Sequence, residues 1–193
     1  MNSPADGPAR WEKPGQVTVL ATTRVFKVEG VRYRHPGRKT ERDFFVINAP
    51  EWVNVLALTP EHQLVLVRQF RFGVDDFTLE IPGGIVDSGE APLAAAIREL
   101  REETGFAGGP ARLLGWVHPN PAIQSNRCHI VLIEEVRKTV SMAWDQDEEI
   151  EVSTRPVEEV LALARAGGIT HSLVLSALLL FEDYWQEMKA RGV

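Results

Sequence analysis

The stretch that most constrains this chain runs from residue 84 to residue 106 and reads GIVDSGEAPLAAAIRELREETGF. Its glutamates Glu99, Glu102 and Glu103 are spaced i, i+3 and i+4, so a helix over residues 91–103 presents their carboxylates on one face. Like charges packed this closely repel one another unless a positive group lies between them. A hard divalent cation that takes oxygen ligands, Mg²⁺ or Mn²⁺, meets that requirement. The alternative is a solvated acidic helix face.

The predicted helix also has an apolar side. Pro92 suits its first turn, where the missing N–H costs no hydrogen bond, and Gly105 is placed to end it. The side chains expected to face a hydrophobic core are Leu93, Ala96, Ile97 and Leu100.

The residues that frame the glutamates resemble the Nudix box. Gly84 is followed after five residues by Glu90, and Glu90 after seven more by the run RELREETGF, which fills every fixed position of that motif. The resemblance implies an α/β (α+β) fold, an α/β/α sandwich with a mixed central sheet, that hydrolyses a pyrophosphate bond. It implies two or three Mg²⁺ ions, with Mn²⁺ as an alternative. The implied metal ligands are the Gly83 carbonyl, Glu99, Glu102 and Glu103.

Two further box residues are expected to support this set without touching substrate. Glu90 and Arg98 are predicted to pair, so that the loop before the helix is held against it and Arg98 orients a ligand glutamate. Glu102 is counted among the catalytic residues as well as among the metal ligands.

The segments before the box resemble those of one branch of the family, the ADP-ribose and nucleoside-diphosphate-sugar pyrophosphatases. VRQFR, which contains Arg68 and Arg71, is similar to the VRQYR of that branch, and EIPGG is similar to its ELPAG with Gly83 in place of alanine. The resemblance implies that Arg71, with Arg68 second, binds the diphosphate through the planar guanidinium. The alternative is a strand with outward-facing arginines. Glu80 is either a partner for an arginine or a support for the metal site.

The loop after the box carries another branch feature. Pro121 sits where the branch has a proline, although NPAIQSN differs from the commoner SPG followed by Ser-x-Glu, so the sugar is not fixed by this loop. We interpret His118 and His129 as loop or packing residues, because Mg²⁺ prefers oxygen ligands.

The general base is expected in the acidic run DQDEEIEV at residues 145–152. Such a run is ordinarily a solvated loop. The branch, however, places a loop carboxylate near the metals at this point, as a base or a further ligand. By position relative to the strand that follows, Glu148 ranks first, with Glu149 and Asp147 behind it.

Composition narrows the partners. A net charge of −6 and a pI near 5.4 disfavour a nucleic-acid partner. The first residues lack an apolar leader and no run approaches a membrane-spanning length, so we expect no membrane partner and a cytoplasmic location. The single cysteine, Cys128, allows no intrachain disulfide and is expected to be a buried thiol.

The chain is predicted to have three parts. Residues 1–14 form a disordered arm, residues 15–49 an N-terminal antiparallel β meander with a turn at Glu29–Gly30, and residues 50–193 the hydrolase domain. By resemblance to the branch, whose members exchange such N-terminal segments, the meander is expected to form a homodimer. Long helices are predicted near residues 156–165 and 172–190.

The resulting hypothesis is metal-dependent hydrolysis of a nucleoside diphosphate sugar, ADP-ribose-like or an NDP-hexose, to a nucleoside monophosphate and a sugar phosphate. Two alternatives remain, a Nudix hydrolase of nucleoside triphosphates or dinucleoside polyphosphates and a non-catalytic nucleotide-sensing module. The complete box disfavours the second. Trp52 is a candidate for stacking on the base, with core packing or dimer packing as the alternative.

Overall fold

The computed structural model describes residues 7–139 and 149–192. The chain divides into two compact units. The first comprises the chain up to Pro50 together with Asn120–Asn126, and the second comprises Glu51–Pro119 and the residues from Arg127 onward.

The first unit contains a three-stranded antiparallel meander, with strands β1 (Val17–Thr22), β2 (Lys27–Arg34) and β3 (Glu41–Asn48) in that order. The segment 120–126 lies beside β3, because the Ile47 N–H donates to the Ile123 carbonyl at 2.7 Å. The meander was expected, and its strands lie where alternating β-branched and aromatic residues predict them.

The predicted turn at Glu29–Gly30 is wrong, because both residues lie inside β2. The chain reverses instead at Thr23, whose hydroxyl donates to the Phe26 carbonyl at 2.8 Å. Gly30 pairs with Thr18 of β1 and with Phe45 of β3, so it is an interior position of the meander.

The second unit combines nine strands and three helices among the residues that the structure describes. The strands are β4 (Trp52–Ala57), β5 (Gln63–Arg71), β6 (Asp76–Glu80), β7 (Gly83–Ile85), β8 (Phe106–Ala107), β9 (Ala111–Val117), β10 (Cys128–Ile133), β11 (Arg137–Lys138) and β12 (Glu151–Pro156). The helices are α1 (Pro92–Thr104), α2 (Val157–Arg165) and α3 (Ser172–Ala190).

The main sheet of this unit is mixed. Its strand order is β7-β4-β10-β9, in which β4 and β10 run parallel and the outer pairs are antiparallel. A second sheet, β12-β5-β6, is antiparallel. β8 and β11 form a short ladder of their own.

Two hydrophobic clusters cover the two faces of these sheets. In β4, Val53 and Val55 pack in the cluster that includes Leu100 of α1, whereas Leu56 packs in the cluster that includes Phe181 of α3. Successive side chains of a strand point to opposite faces, so the continuous apolar run of β4 supplies both layers. The predicted α/β/α sandwich with a mixed central sheet is therefore confirmed.

The buried face of α1 differs from the prediction. Leu93 and Ile97 are 38% and 49% exposed, and the buried side chains are Ala95, Ala96, Leu100, Glu103 and Thr104. The two alanines are small and let the helix approach the sheet closely on one side. Because this side faces the sheet, Glu103 is buried, whereas Leu93 and Ile97 point outward.

Two simpler expectations concern the rest of the chain. Cys128 is buried, and burial raises the pKa of its thiol to about 12. Among the described residues, no helix combines the length and the apolar character needed to cross a membrane.

Candidate active site

Helix α1 delivers the three glutamates to the edge strand β7. It begins at Pro92 and ends at Gly105, whose left-handed φ of 71° lets its N–H donate to the Arg101 carbonyl. These end signals fix the helix register. Glu99, Glu102 and Glu103 therefore project from the last two turns.

Glu103 is tied directly to β7. It is only 4% exposed, and its Oε2 accepts a hydrogen bond from the Gly83 N–H at 3.0 Å. Gly83 stands opposite Asn54, between hydrogen-bonded positions of the β4–β7 pair. A residue at such a position turns both its N–H and its carbonyl away from the partner strand. The Gly83 carbonyl thus faces the same side as the Glu103 carboxylate.

The two glycines of β7 are needed for close approach. A Cβ at Gly84 would lie 2.4 Å from the Cδ of Glu99, and a Cβ at Gly83 would lie 2.2 Å from the Val53 carbonyl oxygen. Real side chains do not tolerate such distances. Glycine at Gly84 therefore allows the Glu99 carboxylate to rest against the strand.

Arg98 joins the loop before α1 to two of the glutamates. Its Nε and Nη2 donate to Glu90 at 3.0 and 2.9 Å, and its Nη1 donates to Glu99 at 2.7 Å and to Glu102 at 3.2 Å. Nη2 also donates to the Ile85 carbonyl at 2.9 Å. The structure thus brings Glu90 and Arg98 together in the arrangement that the sequence predicts.

This network also sets charge states. The hydrogen bond to Glu90 is the main cause of the raised pKa of Arg98, with Glu99 and Glu102 adding to it and burial opposing it. In return, the Arg98 hydrogen bond lowers the pKa of Glu90. Loop and helix are therefore held by a pair that stays ionised at neutral pH.

The donor set fits a hard cation. Carboxylates from Glu99 and Glu102 converge on one nitrogen of Arg98, and Glu103 of the same helix accepts from the N–H of Gly83 on β7. These are oxygen donors of the kind Mg²⁺ prefers. Among the described residues no three acidic, histidine or cysteine side chains are already gathered as a metal cluster. The reason is visible: Arg98 and the Gly83 N–H hold the carboxylates.

Arg71, the residue predicted to bind the diphosphate, lies at the end of β5 and has a partner. Its Nε and Nη2 donate to the two carboxylate oxygens of Glu80 on β6, at 2.7 and 2.6 Å. Of the two interpretations left open for Glu80, the structure favours the partner of an arginine. The sequence did not indicate which arginine, because the pairing depends on the register of β5 and β6.

The remaining predicted substrate residues are dispersed. Arg68 pairs with Glu151 at 3.3 Å and its guanidinium lies 4.3 Å from the centre of the Phe77 ring. Trp52 is partly buried against the cluster that includes Phe181, as the packing alternative requires. Pro121 lies in the segment 120–126 that belongs to the first unit.

Of the candidate bases, only Glu149 is described, and it is an exposed residue just before β12. Glu148 and Asp147 lie outside the described residues. The choice of base therefore stays a prediction.

Three polar side chains near these elements were not singled out from the sequence. Glu51 contacts the Nε2 of the buried His129, Thr78 donates to Glu80, and His171 lies 3.7 Å from Glu80. His118 packs edge-on to Trp116. The contact of His118 with Trp116 fits its interpretation as a loop or packing residue. The sequence offers one signal for these contacts: His129 is a polar residue in an otherwise apolar strand, which indicates a polar partner such as Glu51.

Comparisons with known proteins identify the family of this chain. The NUDIX domain family model matches residues 49–174. An ADP-ribose pyrophosphatase from Bacillus subtilis (strain 168) is 31% identical over 131 residues, covering 67% of this chain and 70% of that protein. The ADP compounds hydrolase NudE from Escherichia coli (strain K12) is 26% identical over 178 residues, covering 91% and 92%.

A solved structure described as "Crystal structure of ADP compounds hydrolase" superposes with a TM-score of 0.82. It shares 24% identity and covers 97% of this chain and 99% of that chain, which shows a common fold. The family match spans well over half of the sequence, so the chain belongs to the Nudix family and is a pyrophosphohydrolase of that family. Enzymes of this family generally depend on a divalent metal.

Proposed function

We propose that this chain hydrolyses the pyrophosphate bond of a nucleoside diphosphate sugar of the ADP-ribose type, giving a nucleoside monophosphate and a sugar phosphate. One observation carries the proposal: Glu103 accepts from the Gly83 N–H of β7 while Glu99 and Glu102 accept from Arg98, in a chain whose relatives are named for ADP-ribose and ADP compounds. An NDP-hexose is the other substrate of this class.

The metal would be held by Glu99, Glu102, Glu103 and the Gly83 carbonyl. When bound, Mg²⁺, in two or three copies or replaced by Mn²⁺, supplies positive charge to the diphosphate and activates a water. The chain's own part is to fix the carboxylates: the Gly83 N–H orients Glu103, and Arg98 orients Glu99 and Glu102. Fixed groups need no rearrangement as charge develops in the reaction.

A loop carboxylate is proposed to accept the proton of the attacking water. Glu148 is the first candidate, followed by Glu149 and Asp147, because they precede β12 as the base does in the branch that the sequence resembles. Glu148→Gln is expected to lower kcat about a hundredfold or more, with Glu149→Gln as the matched variant one residue along. An equal loss in both variants would leave neither as the specific base.

Arg71 is proposed to contact the diphosphate, with Arg68 second, and Pro121 and Trp52 are proposed to line the substrate. Arg71 has support from its position, since its side chain is 42% exposed although its partner Glu80 is buried.

A hydrolysis screen in the presence of Mg²⁺ tests the proposal. Intact ADP-ribose and NDP-sugars carry no phosphomonoester, whereas both products do, so added alkaline phosphatase releases inorganic phosphate only after cleavage. The panel is ADP-ribose, ADP-glucose, UDP- and GDP-sugars, NADH, dinucleoside polyphosphates and dNTPs, the last two classes followed by chromatography. We expect ADP-ribose or an ADP-sugar to give the highest kcat/KM.

The control is Glu103→Gln, which should abolish the signal. A clear preference for dNTPs or dinucleoside polyphosphates would replace the substrate class and keep the chemistry. Binding without hydrolysis of any panel member would instead favour a nucleotide-sensing module.

A homodimer is proposed as the working form. The meander supports it, because β1 is exposed along its whole length and carries Val17, Val19 and Leu20 on the surface. Sedimentation velocity at micromolar concentration should give twice the 21.5 kDa mass of the chain. Val19→Lys should weaken association, and a monomeric wild-type protein would contradict the proposal.

A further inference from the structure

A buried carboxylate at the end of β6 joins three elements of the second unit. Glu80 is 3% exposed and accepts both prongs of the Arg71 guanidinium from β5. The Thr78 hydroxyl, on the same strand, donates to the same Oε1 that accepts the Arg71 Nε. His171, which precedes α3, places its Nε2 3.7 Å from Oε2. None of these four residues belongs to the box.

Glu80 is ionised at neutral pH in spite of its burial. Burial by itself would raise the pKa of this carboxyl, but the hydrogen bonds and charge of Arg71, with help from Thr78 and His171, outweigh it and lower the pKa. Burial is also the main cause of the lowered pKa of His171. The arginine is therefore the principal positive partner of Glu80.

The two-pronged contact fixes the plane of the Arg71 guanidinium. Two parallel N–H···O bonds to one carboxylate leave a planar group little freedom to rotate. The same side chain is 42% exposed, so the held guanidinium reaches solvent. A donor group with a fixed orientation loses less rotamer freedom when an anion binds, and this favours binding over a freely moving arginine.

The neighbouring Thr78 fixes Glu80 in turn. Its hydroxyl donates to one carboxylate oxygen, whereas the His171 Nε2 lies 3.7 Å from the other, beyond hydrogen-bond distance.

We propose that Glu80 is a positioning residue for the substrate, which holds Arg71 in the orientation that contacts the diphosphate, while Thr78 holds Glu80. The inference rests on the proposed role of Arg71. It adds a residue that acts through Arg71 and touches neither substrate nor metal.

The first test is Glu80→Gln, assayed with ADP-ribose or with the best substrate of the screen. The amide keeps the size and one acceptor oxygen but loses the charge and the second acceptor. We expect KM to rise about tenfold, with kcat within about twofold of wild type. Glu159→Gln is the matched control, because it breaks an arginine–carboxylate pair of 2.8 Å on the surface of the same unit. It should leave both constants unchanged.

A double-mutant cycle separates this inference from the role of Arg71. Arg71→Lys keeps a positive charge and loses the fork, so KM is expected to rise about tenfold as well. If Glu80 acts through Arg71, the Glu80→Gln change should add little in the Arg71→Lys background. An unchanged KM in Arg71→Lys would overturn the role of Arg71 itself. A normal KM in Glu80→Gln beside a raised KM in Arg71→Lys would overturn only the positioning role.

Thr78→Val provides a variant that leaves the ion pair intact in case Glu80→Gln folds poorly. It removes the hydroxyl at nearly constant volume, and KM should rise about threefold with kcat unchanged. Circular dichroism and thermal unfolding of each variant check folding. A fall in kcat at constant KM in both variants would show that these residues only support the fold, and would overturn the inference.

Discussion

The second unit contains two arginine–carboxylate networks of opposite character. In the first, which we call the box network, one arginine, Arg98, serves three carboxylates, Glu90, Glu99 and Glu102. In the second, the Arg71 network, a single carboxylate, Glu80, accepts from Arg71 and Thr78, and His171 lies 3.7 Å away. One network is left with excess negative charge and the other is balanced.

That difference fits the two tasks proposed above for one substrate. Excess carboxylate would attract a divalent cation, and Glu103, which accepts from the Gly83 N–H, adds a further negative charge. A balanced pair that exposes its arginine instead offers N–H donors to an anion without repelling it. A metal-bound diphosphate needs both kinds of partner. The comparison therefore predicts that damage to the box network lowers kcat, whereas damage to the Arg71 network raises KM.

The largest effect is expected for Glu103→Gln. The amide can still accept from the Gly83 N–H, so the fold should persist, but the negative charge at the metal site is lost. We expect kcat to fall on the order of 10³-fold, as for loss of a preorganised group that stabilises developing charge. Steady-state kinetics at saturating Mg²⁺ measures this. The exposed Glu187→Gln on α3 is the control, and near-normal turnover of Glu103→Gln would remove the metal site from the proposal.

The second prediction tests whether the Arg71 network also stabilises the fold. Arg71→Ala leaves the Glu80 carboxylate buried without its main partner, which should lower the free energy of unfolding by about 2–3 kcal/mol. This is less than a fully buried pair would cost, because Arg71 is 42% exposed. Urea unfolding measures the change. The added substitution Glu80→Gln should recover part of it, and additive losses in the double variant would contradict the coupling.

The two networks also differ in how far the sequence predicts them. Arg98 is one, four and eight residues from its three carboxylate partners, so motif and helix spacing indicate the pairing. Glu80 lies nine residues from Arg71 and far from His171 in the sequence. Only the pairing of β5 with β6 and the position of α3 create that contact. Local spacing thus predicted the box network and left the partner of Glu80 open.

The errors have the same physical origin. Glu29–Gly30 has the composition of a turn, but both residues pair with β1 on one side and β3 on the other within the continuous strand β2. Leu93 and Ile97 have the spacing of a core face, but they are exposed because the helix packs against the sheet through the smaller Ala95 and Ala96. In both cases tertiary contact outweighs a local preference. The three helices, which depend on longer patterns, were predicted close to their observed bounds.

A third prediction sharpens the description of the box network. Gly84→Ala places a Cβ where it would lie 2.4 Å from the Glu99 Cδ, so the carboxylate must move away from β7. We expect kcat to fall about tenfold and stability to fall by about 1–2 kcal/mol. Gly73→Ala is the matched control, because its Cβ would meet no atom within 4 Å. Equal activities of the two variants would mean that the function of Glu99 does not depend on the contact of its carboxylate with β7.

The smallest effect is a difference in acid sensitivity between the networks. The pKa of Glu80 and that of Glu90 are both lowered from the ordinary 4.5, so each carboxylate contributes stability that is present above pH 4.5 and is lost as pH falls through its lowered value. Glu80 is buried, whereas Glu90 is only partly buried. The decrease in the free energy of unfolding as pH falls should therefore be reduced more by Glu80→Gln than by Glu90→Gln. Urea midpoints measured from pH 7 down to about pH 3 give both slopes. A Glu80→Gln curve that runs parallel to the wild-type curve would show that the pair with Arg71 gives no net stabilisation to the ionised carboxylate.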